Sequence, residues 1–282
     1  MYNNSMNLHK ITESGTHYWI YNDDSKKPTI VMIHGFRGTH HGLELIAKNL
    51  NNYRIIIPDL PGFGETIVLD EIHSLENFVK WLKNFLSELG LQTPPYLLGH
   101  SFGSIVTGEF VAKNPDSVKK LIIVNPIGAP ALNSPKKIMT KLTNFYFWLG
   151  KILPAKFATR WLSSKIIVLI MSSVMAKTRN KKTRKYIHNQ HLTYFSTFAN
   201  SKSLIEAYKT STQHSVRESA PHIFIPTLII AGDRDDITPI DKQFELNELF
   251  PKAEIKVIKE VGHLTQYEKP QEVAGYIRDF LN

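Results

Sequence analysis

Apolar residues recur along this chain in two rhythms. Short runs rich in β-branched and aromatic residues read as strands: His17–Tyr21, Thr29–His34, Arg54–Pro58, Tyr96–Gly99, Lys120–Asn125, Thr227–Ala231 and Ile255–Ile258. Three of them contain unbroken apolar stretches, at Thr29–Ile33, Leu121–Val124 and Leu228–Ala231. Continuous rather than alternating hydrophobicity means burial on both faces, as in a parallel sheet covered by helices. Helical patterns lie between the strands. Ser74-Leu75-Glu76-Asn77 carries an N-cap signal, Phe78, Trp81, Leu82, Phe85 and Leu89 form an apolar stripe, and Gly90 marks the stop. The last helix begins near Pro270 and uses Val273, Ile277, Phe280 and Leu281. Such alternation predicts an α/β fold with a doubly wound, mostly parallel sheet.

From Ile127 to Ala220 the rhythm breaks. No parallel-strand pattern occurs there; instead Phe145–Leu149, Trp161-Leu162 and Ile166–Met171 are interrupted by Pro135, Pro154 and basic clusters. We read residues 127–220 as a helical insertion, with 1–126 and 221–282 as the sheet-bearing core. Charge separates the same two regions. The chain carries a net +9, yet the insertion alone holds sixteen Lys and Arg against Glu206 and Glu218, a net of +14, leaving −5 for the rest. A basic helical surface is either solvated or drawn to anionic lipid or an anionic substrate. Nothing resembles a nucleic-acid reading motif. The absence of cysteine excludes disulfides, thiolate nucleophiles and thiolate metal sites. Met1–Lys10 lacks the basic start and apolar run of a signal peptide, and the longest apolar run, Ile166–Met175, is short of the roughly 20 residues that span a bilayer. The expectation is a soluble, cytoplasmic protein.

Candidate chemistry starts at Gly99-His100-Ser101-Phe102-Gly103, a G-x-S-x-G motif between an apolar strand and a helix-like run. In that context it reads as a nucleophile elbow, whose turn is too sharp for flanking side chains. The serine then stands at a helix N-terminus, where developing negative charge is favoured.

With these residues the chain resembles the α/β-hydrolase family over essentially its whole length, which implies a doubly wound, mostly parallel sheet of about eight strands with an inserted helical cap. His34-Gly35-Phe36-Arg37-Gly38 is similar to the family's loop after the third strand, and Pro58–Gly64 to another hallmark. Gly232–Pro239 resembles the acid loop, and Gly262-His263 with Glu268 and Pro270 the histidine loop. The order Ser, Asp, His is the family's order. The resemblance implies Ser101 as nucleophile and His263 as the base that takes its proton and later protonates the leaving group. The supporting carboxylate comes from Asp233, Asp235 or Asp236, and alignment of the loop selects Asp235. The oxyanion donors implied are the backbone amides of Phe36 and Phe102. His34 is expected to support its loop and His100 to pack beside the elbow, while His40 and His41 either reach the site mouth or face solvent. His188 and His191, three apart but without a nearby carboxylate, are expected to line the pocket or the helix surface rather than hold a metal.

The function implied is hydrolysis of a carboxylic ester, such as a lipid ester or lactone, through an acyl-serine intermediate, with no metal or cofactor. The insertion takes the place of the family's helical cap, and its Trp148 and Trp161 are the expected substrate-binding residues in an apolar pocket for a small-molecule ester. The basic cap is a candidate for peripheral membrane contact, in which Lys136, Lys137, Lys141 and Lys151 would meet anionic head groups. Alternatives sharing the triad are a carbon–carbon bond hydrolase of dienone acids, a slow-turnover ligand receptor and an acyltransferase. A serine nucleophile argues against epoxide hydrolase and dehalogenase chemistry, and only two acidic residues in the cap argue against an aminopeptidase.

Overall fold

In the computed structural model, which describes residues 7–129 and 137–282 (without the side chains of 137–141), eight strands form one sheet in the order β1-β2-β4-β3-β5-β6-β7-β8. The strands are β1 (Leu8–Ile11), β2 (His17–Tyr21), β3 (Thr29–Ile33), β4 (Arg54–Pro58), β5 (Tyr96–His100), β6 (Leu121–Val124), β7 (Thr227–Gly232) and β8 (Ala253–Ile258). The β1–β2 and β2–β4 pairings are antiparallel and the remaining five are parallel. The helices are α1 (Glu44–Ala47), α2 (Leu75–Glu88), α3 (Phe102–Lys113), α4 (Lys137–Ile152), α5 (Ala155–Leu162), α6 (Lys165–Met175), α7 (Lys181–Tyr194), α8 (Ser201–Gln213), α9 (Ile240–Asn247), α10 (Thr265–Glu268) and α11 (Pro270–Leu281).

Helices cover both faces of the sheet, which is why β3, β6 and β7 are apolar without alternation. On one face Phe78, Trp81 and Phe85 of α2 and Ile105 and Phe110 of α3 pack on Val31, Leu97 and Ile123. On the other, Ile46 of α1 and Val273 and Ile277 of α11 pack on Met32, Leu98 and Ile230. The Ser74 hydroxyl accepts from the Asn77 amide at 3.3 Å, capping α2 as its sequence signal requires, and Gly90 ends the helix at φ +57°. Strand β1 was not among the expected strands. Its four residues are all exposed, and among the described strands it pairs with β2 alone, so no face is buried to write an apolar pattern.

Helices α4 to α8 lie between β6 and β7, two neighbouring strands of the sheet. The Val216 amide donates to the Ile127 carbonyl at 2.9 Å, so the two ends of this insertion meet. By length and composition Ala155–Met175 is apolar enough to cross a membrane, which the shorter run Ile166–Met175 alone is not. In the structure it is two helices, α5 and α6, joined through Ser163 and Ser164, with Ala158, Leu162, Val168 and Ser172 packed inward.

Candidate active site

The parallel strands aim their carboxyl ends at one place, the usual location of a site in such a sheet. Ser101 follows β5 with φ +51° and ψ −117°, backbone values a residue with a side chain rarely adopts. Close packing enforces the turn. A side chain on Gly99 would strike Thr107 and the Gly103 carbonyl, and one on Gly103 the carbonyls of Ile33 and His34. Ser104 pins the elbow from inside: its hydroxyl donates to the Ser101 carbonyl at 2.5 Å and accepts from the Ile127 amide at 3.2 Å.

His263, in the loop after β8, brings Nε2 to 2.8 Å from Ser101 Oγ, and its Nδ1 lies 2.7 Å from Asp235 Oδ2 in the loop after β7. An ionised carboxylate accepts only, so Nδ1 carries the proton and Nε2 is left to accept from the serine. Ser101 is partly exposed, while Asp235 and His263 are buried. Burial alone would raise the pKa of Asp235, but the His263 charge and hydrogen bonds from His263 and Thr238 outweigh it and hold the carboxyl below its ordinary range. Its Oδ1 accepts from the amides of Ile237 (2.8 Å) and Thr238 (3.0 Å), and its Oδ2 also accepts from Thr238 Oγ1 (2.5 Å) and Asn125 Nδ2 (2.9 Å).

The other two aspartates of that loop are engaged elsewhere. Asp233 accepts from the Glu260 amide at 2.7 Å, and Asp236 pairs with Lys177 at 2.5 Å on the cavity rim. Asn125 and Thr265 escaped the sequence reading. Asn125 follows β6 at φ +45°, donates to Asp235 and accepts from Thr265 Oγ1 at 2.5 Å, so it orients the carboxylate from behind. No motif marks it; a lone asparagine after a buried strand is the only trace.

Phe36 follows β3 and Phe102 heads α3, where first-turn amides have no acceptor within the helix. Among the described residues neither amide has a hydrogen-bond acceptor, and both residues line the cavity with Ser101. His34 supports this loop as expected: its Nε2 accepts from the Leu60 amide at 2.9 Å, leaving Nδ1–H for the Gly35 carbonyl at 2.9 Å. Burial lowers its pKa, and burial with the His263 charge takes that of His100 down to about 3, so both rings stay neutral. His40 does not reach the site mouth. Its ring is buried against Trp19, and its amide and Nδ1 both bond Asp59 Oδ1, at 2.7 and 3.0 Å. His41 stacks on Tyr194, half-buried.

Arg37, the residue after Phe36, is 1 % exposed and at φ +60°. Its guanidinium donates to the carbonyls of Leu162 (2.8 Å) and Phe195 (2.9 Å) and to Tyr146 Oη (3.3 Å). Those carbonyls close α5 and α7, so a cation sits where two helix C-termini converge.

The cavity beside Ser101 has a volume of about 420 Å³, within the range of small-molecule sites. The core contributes Phe36, Leu43 and Leu264; the insertion contributes Phe147, Met171, Val174, Phe195 and Tyr208. Trp148 and Trp161, the expected substrate-binding pair, do not line it. Trp148 is 53 % exposed on the outer side of α4, stacked on Phe145, and Trp161 packs beside the core with its indole N–H on the Tyr146 carbonyl at 3.0 Å. Helix α4 is apolar on two sides, and Phe147, not Trp148, is on the inner one. Of the basic residues expected to meet a membrane, Lys151 is exposed at the end of α4, whereas the side chains of Lys136, Lys137 and Lys141 lie outside the described residues.

Comparison with known proteins agrees with this frame. A family model described as the alpha/beta hydrolase fold matches residues 28–270. Lipase 1 of Psychrobacter immobilis is 24% identical over 269 residues, covering 89% of this chain and 76% of its own. Monoacylglycerol lipase ABHD6 of Mus musculus is 27% identical over 263 residues, covering 90% and 76%. Among solved structures, a putative lipase from Acinetobacter baumannii superposes with a TM-score of 0.76 at 26% identity, covering 99% of this chain and 92% of that one.

Proposed function

The chain belongs to the alpha/beta hydrolase fold family, and from that premise we propose that it is a serine hydrolase of carboxylic esters with Ser101, His263 and Asp235 as its triad. The observation that carries the reading is the unbroken contact from Ser101 Oγ through His263 to Asp235, 2.8 and 2.7 Å, opening on an apolar cavity beside two free amides. Ser101 Oγ attacks the ester carbonyl as its proton passes to His263 Nε2. The Phe36 and Phe102 amides stabilise the oxyanion, and His263 then protonates the departing alcohol. Water, deprotonated by His263, cleaves the acyl-serine to release the acid. Asp235 holds the imidazole in its tautomer throughout, and Asn125 holds Asp235. The test is labelling by a fluorophosphonate together with ester turnover. Ser101→Ala is expected to abolish labelling and cut turnover by about four orders of magnitude or more; full labelling of that variant would overturn the assignment.

The substrate class follows from the lining. With Phe36, Phe147, Phe195, Met171 and Val174 around the serine, the cavity suits an apolar acyl chain. The relatives named lipase and monoacylglycerol lipase favour an ester over a dienone acid, whose charge this lining would leave unmatched.

The insertion acts as a cap in this reading, and its outer side is fitted to a lipid surface. Leu142, Phe145, Trp148 and Ile152 form one exposed stripe along α4. Ile166, Leu169 and Ile170 form another along α6. Exposed Lys151, Lys156, Arg160 and Lys165 flank them. Apolar side chains that enter an interface beside cations that meet anionic head groups are the composition of a peripheral membrane contact.

A further inference from the structure

Away from the cavity, three metal-ligating side chains converge at the N-terminal hairpin. His9 stands opposite Trp19 and His17 opposite Ile11 across the β1–β2 pairing, so the two histidines are diagonal neighbours on one face of the sheet. His9 Nε2 lies 3.1 Å from His17 Nδ1. Glu65, from the loop after β4, brings Oε2 to 3.3 Å from His17 Nδ1 and 3.9 Å from His9 Nε2. All three are held in place by their neighbours. The His9 ring stacks on Trp19 at 4.6 Å, and Trp19 stacks in turn on buried His40. The His17 amide donates to Thr66 Oγ1 at 3.0 Å, and the Glu65 amide donates to Oδ2 of buried Asp59 at 3.0 Å.

The donor atoms decide what fits among them. Two ring nitrogens 3.1 Å apart repel unless a proton or a cation lies between them, and a carboxylate has no proton to offer. One proton serves a single edge of this triangle, whereas a cation at its centre serves all three corners. Zinc–ligand bonds of about 2.0–2.1 Å at tetrahedral angles set the ligand atoms about 3.3–3.4 Å apart. The edges here are 3.1, 3.3 and 3.9 Å, and the longest ends on Glu65, whose exposed side chain has room to close it. Two imidazoles beside one carboxylate suit a transition ion such as zinc over magnesium or calcium, which take oxygen ligands. The other close histidine pair, His188 and His191, shares the Ser172 hydroxyl at 2.7 and 2.8 Å, and among the described residues no carboxylate completes it.

The geometry points to a divalent transition-metal site at His9, His17 and Glu65, with zinc as the ion it fits and a fourth position open to water. None of the three residues lines the cavity beside Ser101, so the ion acts as a structural clip and takes no part in ester hydrolysis. It joins three segments: β1, which among the described strands pairs with β2 alone, β2 itself, and the loop after β4. That loop also meets the insertion, since Phe63 bridges Phe198 and the Gly64 amide donates to the Thr197 carbonyl at 2.7 Å. Zinc bound here therefore braces both the first strand and the loop on which the insertion rests.

The test titrates zinc into the full chain, free of any added histidine tag, by isothermal titration calorimetry. One zinc per chain is expected. At about a hundredfold excess over its Kd, zinc should raise the melting temperature by about 5–10 °C, while magnesium leaves it unmoved. Hydrogen exchange should slow on zinc addition at Leu8–Ile11 and at the amides of Glu65 and Thr66. His9→Ala, His17→Ala and Glu65→Ala should each weaken zinc binding at least about tenfold. His222→Ala, which removes an exposed histidine elsewhere, should bind like the native protein. Folding of each variant is read from its metal-free melting curve; should His17→Ala fail to fold, the exposed positions His9 and Glu65 carry the comparison. Absence of saturable zinc binding overturns the site, as does an equal response to magnesium. So does an affinity in the folded variants that matches His222→Ala, which would put the ion elsewhere, and a loss confined to the histidine variants would overturn the part given to Glu65.

Discussion

Replacing Arg37 with methionine keeps the aliphatic stem of the side chain and deletes its guanidinium. The native group donates to two helix-terminal carbonyls at 2.8 and 2.9 Å and to Tyr146 Oη at 3.3 Å, all on the insertion, from a residue adjoining the Phe36 amide. Hydrogen bonds from a charged donor are worth about 1.5–3 kcal/mol each, so the two short ones give about 3–6 kcal/mol. Freeing a buried cation from its desolvation cost offsets part of that, leaving a net loss of about 2–4 kcal/mol. The Leu162 carbonyl keeps Tyr146 Oη at 2.6 Å, whereas the Phe195 carbonyl loses its guanidinium donor, so the damage falls mainly at the end of α7. For a chain of this size each kcal/mol moves the melting temperature by about 2–4 °C, which predicts a drop of about 4–16 °C by differential scanning fluorimetry. Ester turnover should fall about tenfold or more, because the Phe36 amide, proposed to stabilise the oxyanion, loses the side chain that ties its loop to the insertion. Arg160→Met, at an exposed position, is the matched control and should change neither. If Arg37→Met melts within about 2 °C of the native protein and turns over like the control, the guanidinium does not couple cap to oxyanion loop.

Two further outcomes are expected. Asp235→Asn should reduce turnover by about 10⁴, while Asp233→Asn and Asp236→Asn cost far less; steady-state kinetics giving equal losses would place the carboxylate's role elsewhere. Native protein should co-sediment with anionic but not neutral vesicles at low salt, and Ile166→Glu or Trp148→Glu should weaken that binding without affecting fluorophosphonate labelling; binding that ignores both charge and these changes would remove the lipid surface as occupant.

The sheet was legible because burial on two faces writes itself into composition: the expected runs at Thr29, Tyr96, Leu121 and Thr227 are all strands of the parallel part. The elbow was legible because its geometry tolerates only glycine at Gly99 and Gly103, a demand that leaves a motif. Asp235 was separable from Asp233 and Asp236 only through the loop's resemblance to the family's acid loop, and among the three only Asp235 contacts His263 in the structure. Asn125 and Thr265 were not legible: Asn125 reaches Asp235 from the end of a distant strand and Thr265 reaches Asn125, so neither bond asks for a spacing in sequence, whereas Thr238 bonds Asp235 from within the same loop. The cap misled for a different reason. Periodicity finds the apolar sides of α4 but cannot say which of two apolar sides faces inward, and Phe147 and Trp148 are neighbours on opposite ones.

The meeting of the cap's two ends has an evolutionary reading. Strands β6 and β7 pair in parallel, Leu121 beside Thr227, and the intervening helices leave and return through one backbone hydrogen bond between Ile127 and Val216. To the sheet, everything between those residues is one excursion, whose closing cost rises by only about 0.6 kcal/mol when its length doubles. Selection can therefore lengthen, shorten or wholly exchange the excursion while Ser101, Asp235 and His263 keep their places. A lineage built this way diversifies its diet by swapping roofs over an unaltered hearth, and the graft points for doing the same at the bench are Ile127 and Val216.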